Sequence, residues 1–311
     1  MPTLPIRPIA GALSGAAAAL WLTPAYSHAV CGDRIFPATL AIDDPGVTDE
    51  LSLPSLTWLP KNSDGVQEFD AGFNWAKTIF PYVALSVGTG PTWLHPGSFG
   101  WDALDTEAKY QFFCIPEHEF MGSIGFDVTW GAASTGAQTG SPNMYSPVLD
   151  VGKGFGDLPT SLNLLRPFAI TGEVSTTTPE QAVWGGNQFA TTLNWGFTLQ
   201  YSLPYYNSDV GEIDNGLFKH LIPLVEAVFS TPTANAAQGT WGTTGAIQPG
   251  VVYMADKWQL AVEAVIPING ASGHGVGVVA DLDLFLDDIF PDSLGKPIFT
   301  QSLPMFTGAR Q

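Results

Sequence analysis

The sequence predicts an all-β protein: a transmembrane, antiparallel, up-and-down β-barrel of about twelve strands, with ten as the alternative, following a cleaved signal peptide. Three observations predict it. Only 13% of the residues are charged, against about 25% in an ordinary soluble domain. Long segments alternate strictly between large apolar and polar residues. The links between them alternate between short and open.

The first thirty residues read as a secretory signal. Arg7 is the one early charge, Ile9 to Leu22 is an apolar h-region, and Ser27-His28-Ala29 fits a small-x-small cleavage site. That run has too few residues to span as a helix, which needs about 20. Val30 before Cys31 does not suit a lipobox. Residues 1–29 are therefore read as the signal peptide and 30–50 as a periplasmic N-terminal segment. The barrel follows at 51–286, and 287–311 is a periplasmic tail. Cys31 and Cys114 are the two cysteines. Export permits a disulfide between them, but their separation leaves the unpaired state equally open.

The strands follow in order. An opening strand near 51–60 is interrupted by Pro54. Phe69, Phe73, Trp75 and Ile79 alternate with Glu68, Asp70, Gly72, Asn74 and Thr78. A weaker strand reads at 82–93. Tyr110 and Phe112 alternate with Glu107, Lys109 and Gln111, and Ile124, Phe126, Val128 and Trp130 with Ser123, Gly125, Asp127 and Thr129. After a weaker strand at 146–155 come Phe168, Ile170 and Val174 between Thr171, Glu173 and Ser175. The clearest segment is 192–203, where Leu193, Trp195, Phe197, Leu199, Tyr201 and Leu203 alternate with Asn194, Gly196, Thr198, Gln200 and Ser202. Weaker strands read at 220–230 and 244–254. Trp258, Leu260, Val262 and Ile266 then alternate with Lys257, Gln259 and Glu263, and Val276, Val278, Leu282 and Leu284 with Gly277, Asp281 and Asp283. Successive strand side chains point to opposite faces, so each segment has one greasy and one polar face.

Link lengths give the orientation. Compact links fall at 80–81, 115–118 and 254–256. Open, Gly/Ser/Thr/Asn-rich links fall at 94–100, 131–145, 177–191, 231–243 and 268–274. Outer-membrane barrels pair short periplasmic turns with longer outer loops. The links at 156–165 and 204–219 break this rule and have room for a short helix. Eleven strands count from 66–79 onward, and the one at 51–60 makes the even number expected of a bacterial barrel.

Several stretches carry a family resemblance: DDPGVTDELSLP (43–54), PEHEF (116–120), GKGFGDLP (152–159), LRPFAITG (165–172) and EAVIPINGASGHGVGVVADL through LDDIFPDSLGKPIF near the end. On these the chain resembles exported proteobacterial barrels similar to those of the MetA pathway of phenol degradation, which look transporter-like. The resemblance implies an outer-membrane barrel placed by the barrel-assembly machinery, and passage of small molecules, aromatic or hydrophobic compounds among them. It hands over no catalytic residue. Such barrels often end on an aromatic residue closing the last strand. Here that strand ends near Phe285, and a tail follows.

By alternation Glu68, Asp70, Glu107, Lys109, Asp127, Glu173, Glu226, Glu263, Asp281 and Asp283 face the lumen. Lys77 has outward parity near a strand end, where its amine could reach the interface. If the lumen holds water, its acid excess favours cations and neutral solutes over anions. Alternatively these acids hydrogen-bond within a plugged barrel, since a twelve-stranded lumen is narrow. His118 beside Cys114 lacks metal-ligand spacing and reads as a hairpin turn. The acidic pairs Asp43-Asp44, Asp49-Glu50 and Asp287-Asp288 read as solvated periplasmic ends rather than Ca²⁺ ligands. No cofactor or metal is expected. The formal net charge of −18 excludes nucleic acid as a partner.

No Gly-x-Ser-x-Gly, His-Glu-x-x-His or P-loop is present, and His95, His118, His220 and His274 carry no local signature, so no enzyme is expected. The leading expectation is a passive outer-membrane channel for small molecules, its partners being membrane lipids and the solute. A plugged structural or adhesive barrel is the alternative, and a soluble secreted β-protein the third.

Overall fold

The structure, a computed structural model, describes residues 29–62, 65–135, 140–301 and 303–307. Apart from Ala29, the predicted signal peptide lies outside the described residues. Twelve antiparallel strands form the wall. They are β1 (Glu50–Leu59), β2 (Gln67–Phe80), β3 (Val83–Thr89), β4 (Leu104–Ile115), β5 (Phe120–Trp130) and β6 (Met144–Gly154). The second half comprises β7 (Phe168–Pro179), β8 (Thr191–Tyr201), β9 (Leu221–Ala234), β10 (Thr244–Met254), β11 (Trp258–Pro267) and β12 (Gly277–Phe285). Each pairs with its chain neighbours. β12 then pairs with β1, from Val278 opposite Trp58 to Phe285 opposite Glu50, and so closes the barrel.

Pro54 is accommodated by a β-bulge. Ser52 and Ser55 are opposite Asp283 and Asp281 on one side and Asn74 and Gly72 on the other. Leu53 and Pro54 thus face a single residue on each neighbour, and no ladder bond is asked of the proline nitrogen. The expected strand at 82–93 is split. β3 ends at Thr89, and after Gly90 Pro91–His95 continues along the outer end of β2 in the same register and pairs with Phe99–Trp101 as a hairpin on the rim.

The wall has the two faces that alternation predicts. On β8, Trp195, Phe197 and Leu199 are 42%, 45% and 42% exposed, while Thr198 and Gln200 between them are at 0% and 1%. Exposed apolar side chains recur around the barrel, with Leu85, Ile124, Phe126, Leu260 and Val278 among them. No helix among the described residues is long and apolar enough to cross a membrane; a barrel crosses with strands. At the short-turn end, the two longer links carry a 3₁₀ turn (Thr160–Leu165) and the helix α1 (Leu203–Asp209), capped by Ser202 accepting from the Tyr205 N–H.

The segment 30–50, expected in the periplasm, lies inside the barrel. A hairpin of Ala29–Cys31 and Arg34–Phe36 sits at the short-turn end. From there the chain climbs into the lumen and returns to start β1. Phe36, Leu40, Ile42 and Val47 are all at least 95% buried. Of Asp43-Asp44 and Asp49-Glu50, read as solvated, Asp43 is half-buried and the other three are buried, because each finds partners on the wall or in the segment itself. The physical reason is the width of a twelve-stranded barrel: inward side chains alone leave a space that one chain segment fills.

Candidate functional site: the lumen and its N-terminal plug

The plug is tied down first by a disulfide between Cys31 and Cys114, the latter near the inner end of β4. Beside it Arg34, fully buried, donates to Glu119 Oε2 (3.0 Å), the Pro167 carbonyl (3.1 Å) and the Arg166 carbonyl (2.5 Å), and stacks 4.0 Å above the Tyr205 ring. Glu119 sits in the left-handed region at φ 46°, which is uncommon for a side-chain-bearing residue. Its carboxylate is held there by Arg34 and by the Gly156 N–H at 3.0 Å.

Further in, the plug meets the predicted lumen residues. Lys109 Nζ donates to Asp43 Oδ2 and the Asp44 carbonyl, both at 2.6 Å, and lies 3.1 Å from Asp150 Oδ2. Ser123 Oγ also donates to Asp150. Glu226 accepts four bonds: from Thr39 Oγ1 (2.5 Å), the Ala41 N–H (2.6 Å), the Ile42 N–H (3.1 Å) and Thr198 Oγ1 (2.7 Å). The Leu40 N–H points at Glu263 Oε1 at 3.4 Å. Gln259 Nε2 bridges the Ala38 carbonyl and Asp283, each at 2.7 Å. Ser52 donates to Asp283 and Ser55 to Asp281.

Two glycines on the inner face make the approach possible. A Cβ at Gly152 would lie 2.7 Å from Pro45 Cγ and 3.0 Å from Phe36, and one at Gly196 2.6 Å from Ile42 Cδ1. Both distances are shorter than carbon packing permits.

The ten predicted lumen residues divide into two groups by burial. Lys109, Glu226, Glu263, Asp281 and Asp283 are buried. Of these, Lys109, Glu226 and Glu263 bond plug atoms directly, and Asp283 shares Gln259 with the plug. Glu68, Asp70, Glu107, Asp127 and Glu173 are only partly buried; the first four lie nearer the outer end of their strands, and Glu173 lies at mid-strand. Glu107 is opposite Asp127, its carboxylate lying over Gly125, and Glu173 is opposite Asp150 and accepts from Ser175. The plug thus fills the inner half of the lumen.

Part of the inner wall departs from the polar-inward rule. Ile222, Leu224, Val252, Met254 and Phe285 face inward and pack around Leu40 as an apolar seat. Phe285 is accordingly a lumen residue, not a lipid-facing terminal aromatic. Lys77 does face outward, but its amine bonds Asp49 (2.5 Å) and the carbonyls of Leu294 and Lys296 rather than the interface.

Among the described residues the four histidines assemble no site. His118 is exposed in the turn and contacts Asp157 at 3.1 Å, and His220 contacts the Met254 carbonyl at 2.9 Å. Burial acts to raise the Asp157 carboxyl, but hydrogen bonds from Lys153 and His118 outweigh it and hold the group below its usual value. At the start of the tail, burial pushes Asp287 up to about 7. Among the described residues no group of three or more His, Cys, Asp or Glu is placed to hold a metal ion.

No protein-family model matches the chain, and no curated protein matches it. The likeness to the MetA-pathway barrels thus rests on the quoted stretches alone. Among solved structures, the chain is similar to the β domain of the Bordetella autotransporter BrkA, at 9% identity over 76% of this chain and 98% of that one, with a TM-score of 0.39. It is also similar to the outer membrane protein OpdK of Pseudomonas aeruginosa, at 10% identity over 76% of each chain, with a TM-score of 0.35.

Proposed function

We propose that the protein is a channel for small molecules in a bacterial outer membrane, held closed by residues 29–48. The observation that carries this reading is the division of the lumen. Glu68, Asp70, Glu107 and Asp127 line an outer half that the plug leaves only partly covered, while the inner half is filled by a segment that belongs to the chain. A purely structural barrel has no need of an outer half lined by partly uncovered carboxylates. The carboxylates favour cations and neutral solutes over anions. The likeness to the MetA-pathway group adds aromatic or hydrophobic compounds as the solute class. Passage is diffusive, and no residue is assigned a chemical step.

The test is conductance in planar bilayers. The full chain is expected to conduct little. A variant lacking residues 30–48 and carrying Cys114→Ser is expected to form cation-selective pores. If that variant is folded, by heat-modifiable migration on a gel, and conducts no ion, the channel reading fails. The second reading, an adhesive barrel, is favoured by the rim hairpin, where Trp93, Phe99 and Trp101 are all exposed. It predicts binding that is lost when residues 91–101 are replaced by a short turn, with conductance absent throughout.

A further inference from the structure

The C-terminal tail is not a free end. After α2 (Leu286–Ile289) it follows the inner rim past three wall strands. The Leu286 N–H bonds the Asp49 carbonyl at the foot of β1. Lys77 of β2 holds the carbonyls of Leu294 and Lys296. The Ile298 and Phe299 N–H groups bond the carbonyls of Thr78 and Ile79 at 3.2 and 2.9 Å, and Phe299 stacks on Phe80 with centroids 4.9 Å apart. Tyr110, outward-facing on β4, donates to the Pro304 carbonyl, and Phe306–Thr307 pairs in parallel with Phe113 and Cys114.

This path fills a notch in the wall. β3 begins at Val83, opposite Tyr110, so β4 from Gln111 to Ile115 extends beyond it on that side. Met305 turns inward there and contacts Gln111 and the cluster around the disulfide. Phe306 turns outward.

The outward side of the tail is apolar and uncovered. Phe290, Leu294, Ile298, Phe299, Leu303 and Phe306 are between 45% and 63% exposed. Single exposed apolar residues are ordinary, but six within 17 positions are a patch that calls for a partner. The patch continues the exposed apolar face of the barrel, in which Leu85 at 50% is on the strand directly above the notch. Between residues 290 and 307 the charged residues are Asp292 and Lys296, which pair with each other at 3.2 Å, so this stretch carries no net charge to attract an anionic or cationic partner. Apolar continuity with the membrane-facing surface therefore decides the occupant.

We propose that residues 290–307 form a collar seated in the phospholipid leaflet at the inner rim, its apolar side chains inserted at the boundary of headgroups and acyl chains. The segment seals the notch between β2 and β4 and fixes the depth of the barrel, as interfacial apolar segments do elsewhere. This rests on the membrane reading above, and the test separates the two.

The sequence has two cysteines, and they pair with each other, so single cysteines can carry a nitroxide spin label. Ile298→Cys and Leu303→Cys are labelled in the full chain, reconstituted into phosphatidylethanolamine–phosphatidylglycerol vesicles. Ile124→Cys serves as the reference for the barrel face and Asp214→Cys as the reference for water. Collision with oxygen is compared with collision with a water-soluble nickel chelate. The expected oxygen-to-nickel ratio at both tail sites is several-fold above that at Asp214 and close to that at Ile124. Ratios equal to Asp214 would place the tail in water and overturn the proposal. Shielding from both reagents would indicate a protein occupant and overturn it equally. If Ile124 itself matches Asp214, it is the membrane reading that has failed.

Discussion

Removing the Lys109 amine tests how the plug is held. In Lys109→Met the side chain keeps its unbranched stem but loses the terminal amine and its charge. Asp43 and Asp150 then lose a buried cation at 2.6 and 3.1 Å, and the Asp44 carbonyl loses its donor at 2.6 Å. Breaking a buried ion pair by removing one partner costs about 3–5 kcal/mol. Asp150 keeps the Ser123 hydroxyl and Asp43 keeps the Asp44 N–H at 2.8 Å, so the lower end, about 3 kcal/mol, applies. At about 1.4 kcal/mol per tenfold, that shifts the seated-to-unseated ratio by roughly 10²-fold. The cost falls on the plug, because the unfavourable contacts vanish once it moves while the wall ladder stays intact. Ala38→Cys, a small change at a buried plug position, reports unseating by its rate of reaction with a water-soluble thiol reagent. The rate is expected to rise about a hundredfold in the Lys109→Met background, with heat-modifiable migration unchanged, and to fall back when Asp150→Asn is added. An unchanged rate, or loss of the barrel together with the plug, would refute the reasoning.

Three other perturbations separate wall, seat and tail. Gly152→Val should unseat the plug by overpacking against Pro45 and Phe36, at a cost of about 1–3 kcal/mol, again read by Ala38→Cys labelling; an unchanged rate would mean the plug does not rest on that glycine. Phe197→Arg puts a charge on the exposed apolar face and should lower stability in vesicles by about 2–4 kcal/mol, measured by urea titration, whereas an equal cost in detergent-free water would argue against a lipid-facing surface. Asp287, raised from 3.8 to about 7 by burial, binds its proton more tightly folded than unfolded. Its contribution is fully present below about pH 3.8 and is lost as pH rises toward 7; Asp287→Asn should flatten stability over that window, and a profile identical to the parent would count against its burial.

The wall was legible for a simple reason. Trp195, Phe197 and Leu199 fix the phase of β8 unmistakably, and comparable triplets do so on β2, β5 and β11, so the strands follow by counting. Pro54 obscured β1 because a bulge is a pairing property that one strand does not display. Strands β9 and β10 read weakly because Ile222, Leu224 and Val252 are apolar on the inner face too, where they seat Leu40. The plug was not legible, since an acidic, proline-containing segment such as 43–50 resembles a solvated terminus when its partners are unknown. Two signals pointed to it. Lys109 was the one clear base among inward acids, and Gly152 and Gly196 were inward residues with nothing to fill the space they left.

The quoted stretches gain a physical meaning from the same contacts. DDPG supplies Asp43 and Asp44 to Lys109. PEHEF supplies Glu119, and LRPF the carbonyls of Arg166 and Pro167, to Arg34. GKGFG supplies the clearance at Gly152 and the Gly156 N–H for Glu119. Segments that look like unrelated turns in sequence are thus the two sides of one docking surface. Its contacts fall into a fixed end and a releasable end. The disulfide and the Arg34 cluster anchor the hairpin at the inner rim, while the Lys109 and Glu226 contacts sit further in. A plug anchored in this way reseats by an intramolecular step, so its local concentration stays high however often the inner contacts break. Under the channel reading, closure then depends on the strength of the Lys109 and Glu226 contacts and not on finding a lost partner, which is why single substitutions at the seat should act on opening while leaving the barrel itself unchanged.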